Sequence, residues 1–149
     1  MAGASKSRCT DVRIEPMTWA MTPLKGVDVL SELQLVVAGK VGLEREMRLA
    51  QVVTTMKMAA RGDLHAEGED IGPIWKTPDL FELRWNFGRQ LYRMIHAEPV
   101  RFPDHLIALR FHEKSLAGTK ADVRDAQDAE VAVAKLRYLA GDSSDWGVA

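Results

Sequence analysis

Basic side chains recur along residues 81–115, and their chemical types suit work on a phosphate group. Arg84 and Arg93 carry guanidinium groups, whose planar fork binds two phosphate oxygens and stays charged at any working pH. Lys114 adds a point charge near the end of this stretch. His112 is of a residue type whose unperturbed pKa lies near neutrality, which permits a role as an acid or a base. These four residues are the candidate catalytic group.

Cleavage of a phosphodiester by a neighbouring hydroxyl needs a group that assists this hydroxyl, cations that stabilise the charge on phosphorus, and an acid for the departing oxygen. Glu82 fits either a base or a carboxylate that orients Arg84. Each residue also has a plainer interpretation, because strand cations are often only solvated or weakly paired, and His112 fits a partly exposed edge position. Further candidates for RNA binding are Lys76, Arg89 and Arg110.

The charge of the chain is unevenly distributed. Residues 84–120 contain seven Lys or Arg against three Asp or Glu, whereas the whole chain has a formal net charge of -1. Attraction to nucleic acid must therefore come from a local patch. The length of 149 residues fits one domain, and 46% hydrophobic residues are enough to bury a core without disulfides or metal.

Cys9 is the only cysteine, so no intramolecular disulfide can form, which suggests a reducing compartment. Cysteine and histidine are too scattered along the sequence for a closed zinc site, so we expect no metal and no cofactor. No apolar run approaches the roughly 18 to 20 residues that span a bilayer, and the N-terminus lacks the apolar stretch of a signal peptide. We expect a cytoplasmic protein without membrane contact.

Three segments with alternating apolar and polar residues predict the strands that would position the candidate group. They are FELRW (81–85), QLYRMIH (90–96) and HLIALRFHEKS (105–115), and a Gly-containing connection makes the first two antiparallel. In the third strand, strict alternation separates two faces. One face takes Ile107, Leu109 and Phe111, and the other takes Arg110, His112 and Lys114.

Three-to-four spacing of apolar residues predicts helices from about residue 29, from 43 to 61 and from 121 to 140, and a first strand is expected over 19–24. Glycines, prolines and acids between residues 62 and 79 favour a surface loop. We therefore expect an α+β fold in which helices cover one side of a small antiparallel sheet. The stripe of the last helix that should pack on this sheet is Ala126, Ala129, Val133, Leu136 and Ala140.

The chain is expected to form one domain. Residues 1–11 are small and polar, which predicts a disordered lead-in. Residues 12–141 contain all the predicted helices and strands. Residues 142–149 form a tail with little to bury except Trp146.

Four short motifs follow each other between residues 74 and 140. They are Glu82-Leu83-Arg84, Tyr92-Arg93, Phe111-His112-Glu113-Lys114 and Thr119. Their order and spacing, behind two predicted helices, resemble the RelE/HigB toxin superfamily and in particular its phage-derived HigB-like branch. In that branch an ELR strand, a YR strand and a third strand with an F-x-K-K turn lead to a C-terminal helix a few residues after a threonine.

The resemblance implies a RelE-like arrangement, with two N-terminal helices, an antiparallel sheet and a C-terminal helix. It also implies the toxin of a toxin–antitoxin pair, an endoribonuclease that cleaves mRNA on the ribosome. A cognate antitoxin, expected to be a helix-turn-helix protein, would hold this toxin inactive. On the same resemblance, Arg84 and Arg93 would hold the scissile phosphate, and Lys114 and His112 would assist.

Two other functions fit the same sequence. One is a non-enzymatic phage or prophage module that binds a host protein, and the other is a gyrase inhibitor of the related ParE type. Glu113 stands where the family pattern usually has the first of two lysines, and the chain is slightly acidic. Both features favour the interaction module, because lost cations weaken RNA binding.

Overall fold

The computed structural model describes residues 6–21, 29–65, 70–74 and 77–148, and Lys76 lies outside these ranges. The described residues form an α+β fold with five strands and three helices. The elements are β1 (Thr18–Ala20), α1 (Val29–Val36), α2 (Gly42–Arg61), β2 (Ile71–Pro73), β3 (Leu80–Phe87), β4 (Gln90–Ala97), β5 (His105–Glu113) and α3 (Lys120–Gly141), with short 3-10 helices at Arg8–Thr10 and Asp142–Gly147.

The five strands form one mixed sheet in the order β1-β5-β4-β3-β2. β3, β4 and β5 are antiparallel as predicted, since short connections join them. β1 instead runs parallel to β5, which corrects the expectation of a wholly antiparallel sheet. β1 and β5 are far apart in the chain, so no hairpin sets their relative direction.

β2 lies within the stretch that the sequence assigns to a surface loop. It pairs antiparallel with β3, and Gly72 is the partner of Glu82. Glycine and proline weaken a strand interior, which explains the wrong prediction, but both are tolerated in a three-residue strand at the sheet edge.

Helices cover both faces of the sheet, and the prediction of a single covered face is wrong. α1 and α2 pack on one face through a core that includes Leu33, Val52 and Phe111. α3 packs on the opposite face through a second core that includes Ala134 and Ile95. Because helices cover both faces, little of the sheet surface remains where a row of cations would be fully solvated.

A β-bulge in β5 changes which side chains share a face. Ile95 pairs with Arg110, whereas the next residue, His96, pairs with Ala108, so Leu109 is the extra residue. Ile107 and Leu109 consequently pack toward α3, while Phe111 packs in the core under α1 and α2. Strict alternation had placed these three residues together, and the bulge corrects that prediction.

α3 packs through a different stripe from the one that its apolar spacing predicts. Leu136 is 68% exposed, whereas Ala134 is buried and Val131 and Tyr138 pack beside it. Hydrophobicity alone selected the wrong face, because the inward face also carries polar residues that bond to the sheet, such as Arg137. The helix begins at Thr119 in a capping box with Asp122, close to the predicted start.

Both ends of the described chain are ordered. Ser7–Thr10 pack against the sheet with Cys9 fully buried, and residues 1–5 of the predicted lead-in lie outside the described residues. Trp146, in the segment expected to be a tail, is buried and stacks on Tyr138 with ring centroids 4.9 Å apart. None of the helices in the described ranges is long and apolar enough to cross a membrane.

Candidate functional site

Arg84, Arg93 and His112 form one row across three neighbouring strands. Arg84 is the direct cross-strand partner of Arg93, and Arg93 is the direct partner of His112. Directly opposed residues project from the same face of a sheet, here the face that α3 covers. The structure thus brings together three of the four predicted catalytic residues.

Glu82 is a carboxylate next to this row, two residues before Arg84 on β3. Its Oε1 atom accepts a hydrogen bond from Arg84 Nε at 2.9 Å and lies 3.8 Å from Arg93 Nε. Its Oε2 atom accepts a hydrogen bond from the side-chain amide of Gln127 at 3.0 Å. With both oxygens engaged, Glu82 orients the two arginines, and this favours that role over the role of a base. Gln127 was not predicted, because it is uncharged and lies on α3, and no pattern in the sequence marks it as a partner of Glu82.

Arg84 is the member of the row that reaches solvent, since 34% of its side chain is exposed. The guanidinium lies against the backbone of Gly72, where a Cβ atom would come within 2.3 Å of a terminal nitrogen. The absence of a side chain at this position of β2 makes room for the cation. An open groove of about 470 Å³ lies between β2 and α3, and Glu82, the partner of Arg84, forms part of its wall.

Arg93 lies deeper and is 7% exposed. Its guanidinium donates to the carbonyl oxygen of Tyr92 at 2.9 Å and more weakly to that of Trp85 at 3.4 Å. Burial lowers the pKa of Arg93, and the negative charge of Glu82 opposes this effect. The Arg93 guanidinium is therefore fixed by its contacts, and it positions Glu82 instead of reaching toward a substrate.

His112 is the least satisfied polar residue of the row. It is 4% exposed, and neither ring nitrogen has a hydrogen-bond partner of good geometry among the described residues. Burial lowers the pKa of His112, although the carboxylate of Glu130 acts in the opposite direction. The ring is consequently neutral at pH 7 and is able to accept a proton. The expectation of a partly exposed edge residue is not met.

Lys114 and Arg89 are not part of the cross-strand row. Lys114 directly follows β5 and is half-buried, and its backbone N–H donates to the carbonyl of Leu91. Arg89 is exposed in the two-residue turn between β3 and β4, next to Gly88 with its φ of 65°. Lys76 lies outside the described residues.

Arg110, a predicted RNA-binding residue, is part of a structural ion-pair network. Its guanidinium pairs with Glu130 of α3 and with Glu32 of α1. Glu32 is buried and also accepts hydrogen bonds from Arg137 at 2.8 Å and from the backbone N–H of Phe111 at 3.2 Å. This single carboxylate joins α1, α3 and the edge of β5, so Arg110 has little freedom to bind RNA.

The buried His112 should make the stability of the fold depend on pH. Its pKa in the unfolded chain is near 6.5 and its pKa in the fold is lower, so acid protonates the unfolded chain first. The stabilisation is present above pH 6.5 and is lost as the pH falls through the folded pKa. Between pH 7.5 and 5.5 we therefore expect this group to lower the free energy of unfolding.

Urea unfolding at the two pH values measures this effect. The variant His112→Phe, which cannot titrate, should lack this part of the pH dependence. His65→Phe, which changes an exposed histidine, should retain it. An identical pH dependence in wild type and His112→Phe would show that the ring is not held neutral.

Comparison of the chain with models of protein families, with curated proteins and with solved structures gives no match, so its function is inferred from the side chains themselves.

Proposed function

We propose that this protein is an endoribonuclease that cleaves mRNA on the ribosome as the toxin of a toxin–antitoxin pair. The observation that carries the proposal is the row of Arg84, Arg93 and His112 beside Glu82 on one face of the sheet. Two cations and a neutral imidazole are a set of groups that metal-free cleavage of RNA requires.

In the proposed reaction, His112 accepts the proton of a ribose 2′-hydroxyl, and the 2′-oxygen attacks the adjacent phosphorus. Arg84 stabilises the additional negative charge on the phosphate oxygens, and Arg93 keeps Glu82, and through it Arg84, in position. The bond from phosphorus to the 5′-oxygen then breaks, and this oxygen takes a proton from solvent. The products are a 2′,3′-cyclic phosphate and a 5′-hydroxyl end.

Access to the row is restricted, and this supports a requirement for a large partner such as the ribosome. α3 lies across the row, where Gln127 bonds to Glu82, and His112 is buried beneath it. A ribose reaches His112 only if the first half of α3 moves, whereas Arg84 is already accessible. Binding energy from the ribosome would supply this movement, which accords with an enzyme that is inactive on free RNA.

The proposed antitoxin is a helix-turn-helix protein that blocks this site. It would bring acidic or apolar residues to Arg84 and the groove between β2 and α3. Such a partner would both neutralise the accessible cation and hold α3 against the sheet.

The test is 5′-end mapping of transcripts in a translating extract that contains the purified protein. We expect new 5′-hydroxyl ends with the wild-type protein, and none with the double variant Arg84→Ala, His112→Ala. The same mapping on ribosome-free RNA should show no cleavage. Absence of new ends in the translating extract would contradict the proposal.

An interaction module is the second candidate, and exposed apolar side chains on the other helical layer favour it. Val41, Leu43 and Met47 are exposed around the start of α2, and Leu43 and Met47 line a surface pocket with Phe87. Large exposed apolar groups at one place often mark a protein-binding surface.

Growth inhibition without RNA cleavage but with loss of DNA supercoiling would instead indicate the ParE-like gyrase inhibitor.

A further inference from the structure

Three potential metal ligands meet at the end of β4, on the face of the sheet opposite the proposed active site. Cys9 Sγ lies 3.8 Å from His96 Nε2 and 3.7 Å from Glu98 Oε2, and the latter two atoms are 2.9 Å apart. All three residues are buried, and their ligand atoms lie within 4.8 Å of one another. The fold thus joins residues that are almost ninety positions apart in the sequence.

The triangle formed by these atoms has the size of a metal coordination site. The point equidistant from all three lies about 2 Å from each, and zinc binds imidazole and carboxylate at roughly 2.0 to 2.2 Å and thiolate at about 2.3 Å. Small shifts of the sulfur would bring all three distances into these ranges. Thiolate, imidazole and carboxylate are also the donor types that zinc prefers.

We propose that Cys9, His96 and Glu98 bind one divalent transition-metal ion of the zinc class. The proposal is independent of the proposed ribonuclease activity and replaces the sequence-based expectation of no metal, which rested on the distance between cysteine and histidine along the chain. On binding, the Cys9 thiol loses its proton to solvent and the sulfur bonds to the ion. His96 binds the ion as a neutral imidazole through the Nε2 lone pair, so the proton that Nε2 shares with Glu98 leaves this atom and the ring proton is on Nδ1.

The groups around Glu98 hold its carboxylate in place for this role. Oε2 accepts a hydrogen bond from Ser7 Oγ at 2.6 Å, and Oε1 accepts one from the backbone N–H of Arg8 at 2.7 Å. Hydrogen bonds of this kind orient ligating carboxylates in metal sites. The Ser7 hydroxyl or a water molecule would complete a four-coordinate ion.

The ion would have a structural role. Its ligands are buried, and they come from two parts of the chain, the segment Ser7–Thr10 and the end of β4. Coordination therefore fastens the first described residues to the sheet. Metal binding and docking of this segment are coupled, so removal of the ion should loosen the segment and lower the melting temperature.

Titration of the metal-stripped full-length protein with Co²⁺ tests the proposal. We expect visible ligand-field bands and a near-ultraviolet sulfur-to-cobalt band that saturate at one ion per chain. Because Cys9 is the only cysteine, the sulfur band reports this residue alone. Zn²⁺ should displace Co²⁺, remove the bands and raise the melting temperature, and a chelator should reverse this rise.

Variants locate the site. Cys9→Ser should remove the sulfur band, and His96→Ala or Glu98→Gln should weaken Co²⁺ binding at least tenfold. His65→Ala, which changes an exposed histidine, should leave the titration unchanged. The wild-type titration decides the question even if a variant does not fold, since no sulfur band at one equivalent would overturn the proposal. In that case the three residues are a hydrogen-bonded cluster around the Glu98 carboxylate.

Discussion

Arg84→Ala is expected to reduce mRNA cleavage roughly a hundredfold, which corresponds to about 3 kcal/mol of transition-state stabilisation. Arg84 is the accessible cation of the row, and its Nε atom is bound to Glu82, so the terminal nitrogens are those that would contact the phosphate. Arg84→Lys should restore little of the rate, because a point charge cannot replace the planar fork. Quantitative 5′-end mapping in a translating extract measures both variants.

Two other arginines serve as comparisons for Arg84. Arg61→Ala removes an exposed arginine at the end of α2, in the layer on the opposite face of the sheet, and should cleave like the wild type. Arg93→Ala should lower both cleavage and the melting temperature, because Arg93 is buried against Glu82. Wild-type cleavage by Arg84→Ala would place the phosphate elsewhere.

Glu32→Gln is expected to lower the free energy of unfolding by about 3 kcal/mol, since removing one partner of a buried ion pair leaves the others without compensation. The carboxylate of Glu32 is buried between Arg110 and Arg137, and it also accepts the backbone N–H of Phe111. The neutral amide cannot balance two guanidinium groups. Urea denaturation followed by circular dichroism gives the change.

Glu44→Gln is the matched control for Glu32→Gln. Both glutamates lie in the first turn of a helix and pair with an arginine, but the side chain of Glu44 is 57% exposed. Arg48, the partner of Glu44, is buried, but it keeps its hydrogen bonds to Gln90 and Tyr92 after the change, so we expect a smaller loss than for Glu32→Gln. Equal destabilisation by the two substitutions would show that the network around Glu32 does not join the three elements.

The sequence was sufficient to predict the helices and the three long strands, because their periodicities extend over many residues. In these strands Arg84 and Arg93 are direct cross-strand partners, a pairing that depends on the register and was not predicted. The bulge at Leu109 was not predictable, because one extra residue leaves no mark in a pattern of apolar and polar types. The mistaken grouping of Phe111 followed from this.

Long-range contacts account for the other differences. The burial of Glu82 and His112 depends on α3, whose inward side contains the polar residues Gln127 and Glu130. Cys9 lies in a polar stretch of the sequence, yet it is buried beside His96 and Glu98. Such contacts depend on tertiary packing, which no local pattern records.

Residues near both ends of the described chain contact the connection between β4 and β5. The Arg8 guanidinium donates to the carbonyl oxygens of Glu98, Pro99, Phe102 and His105, and Arg101 in the same connection pairs with Asp142 and Asp145. Contacts over more than ninety residues carry a large loop-closure entropy and slow folding. During translation, the segment that contains Arg8 cannot form these contacts until the connection between β4 and β5 has left the ribosome. The domain therefore closes only after this connection has been synthesised.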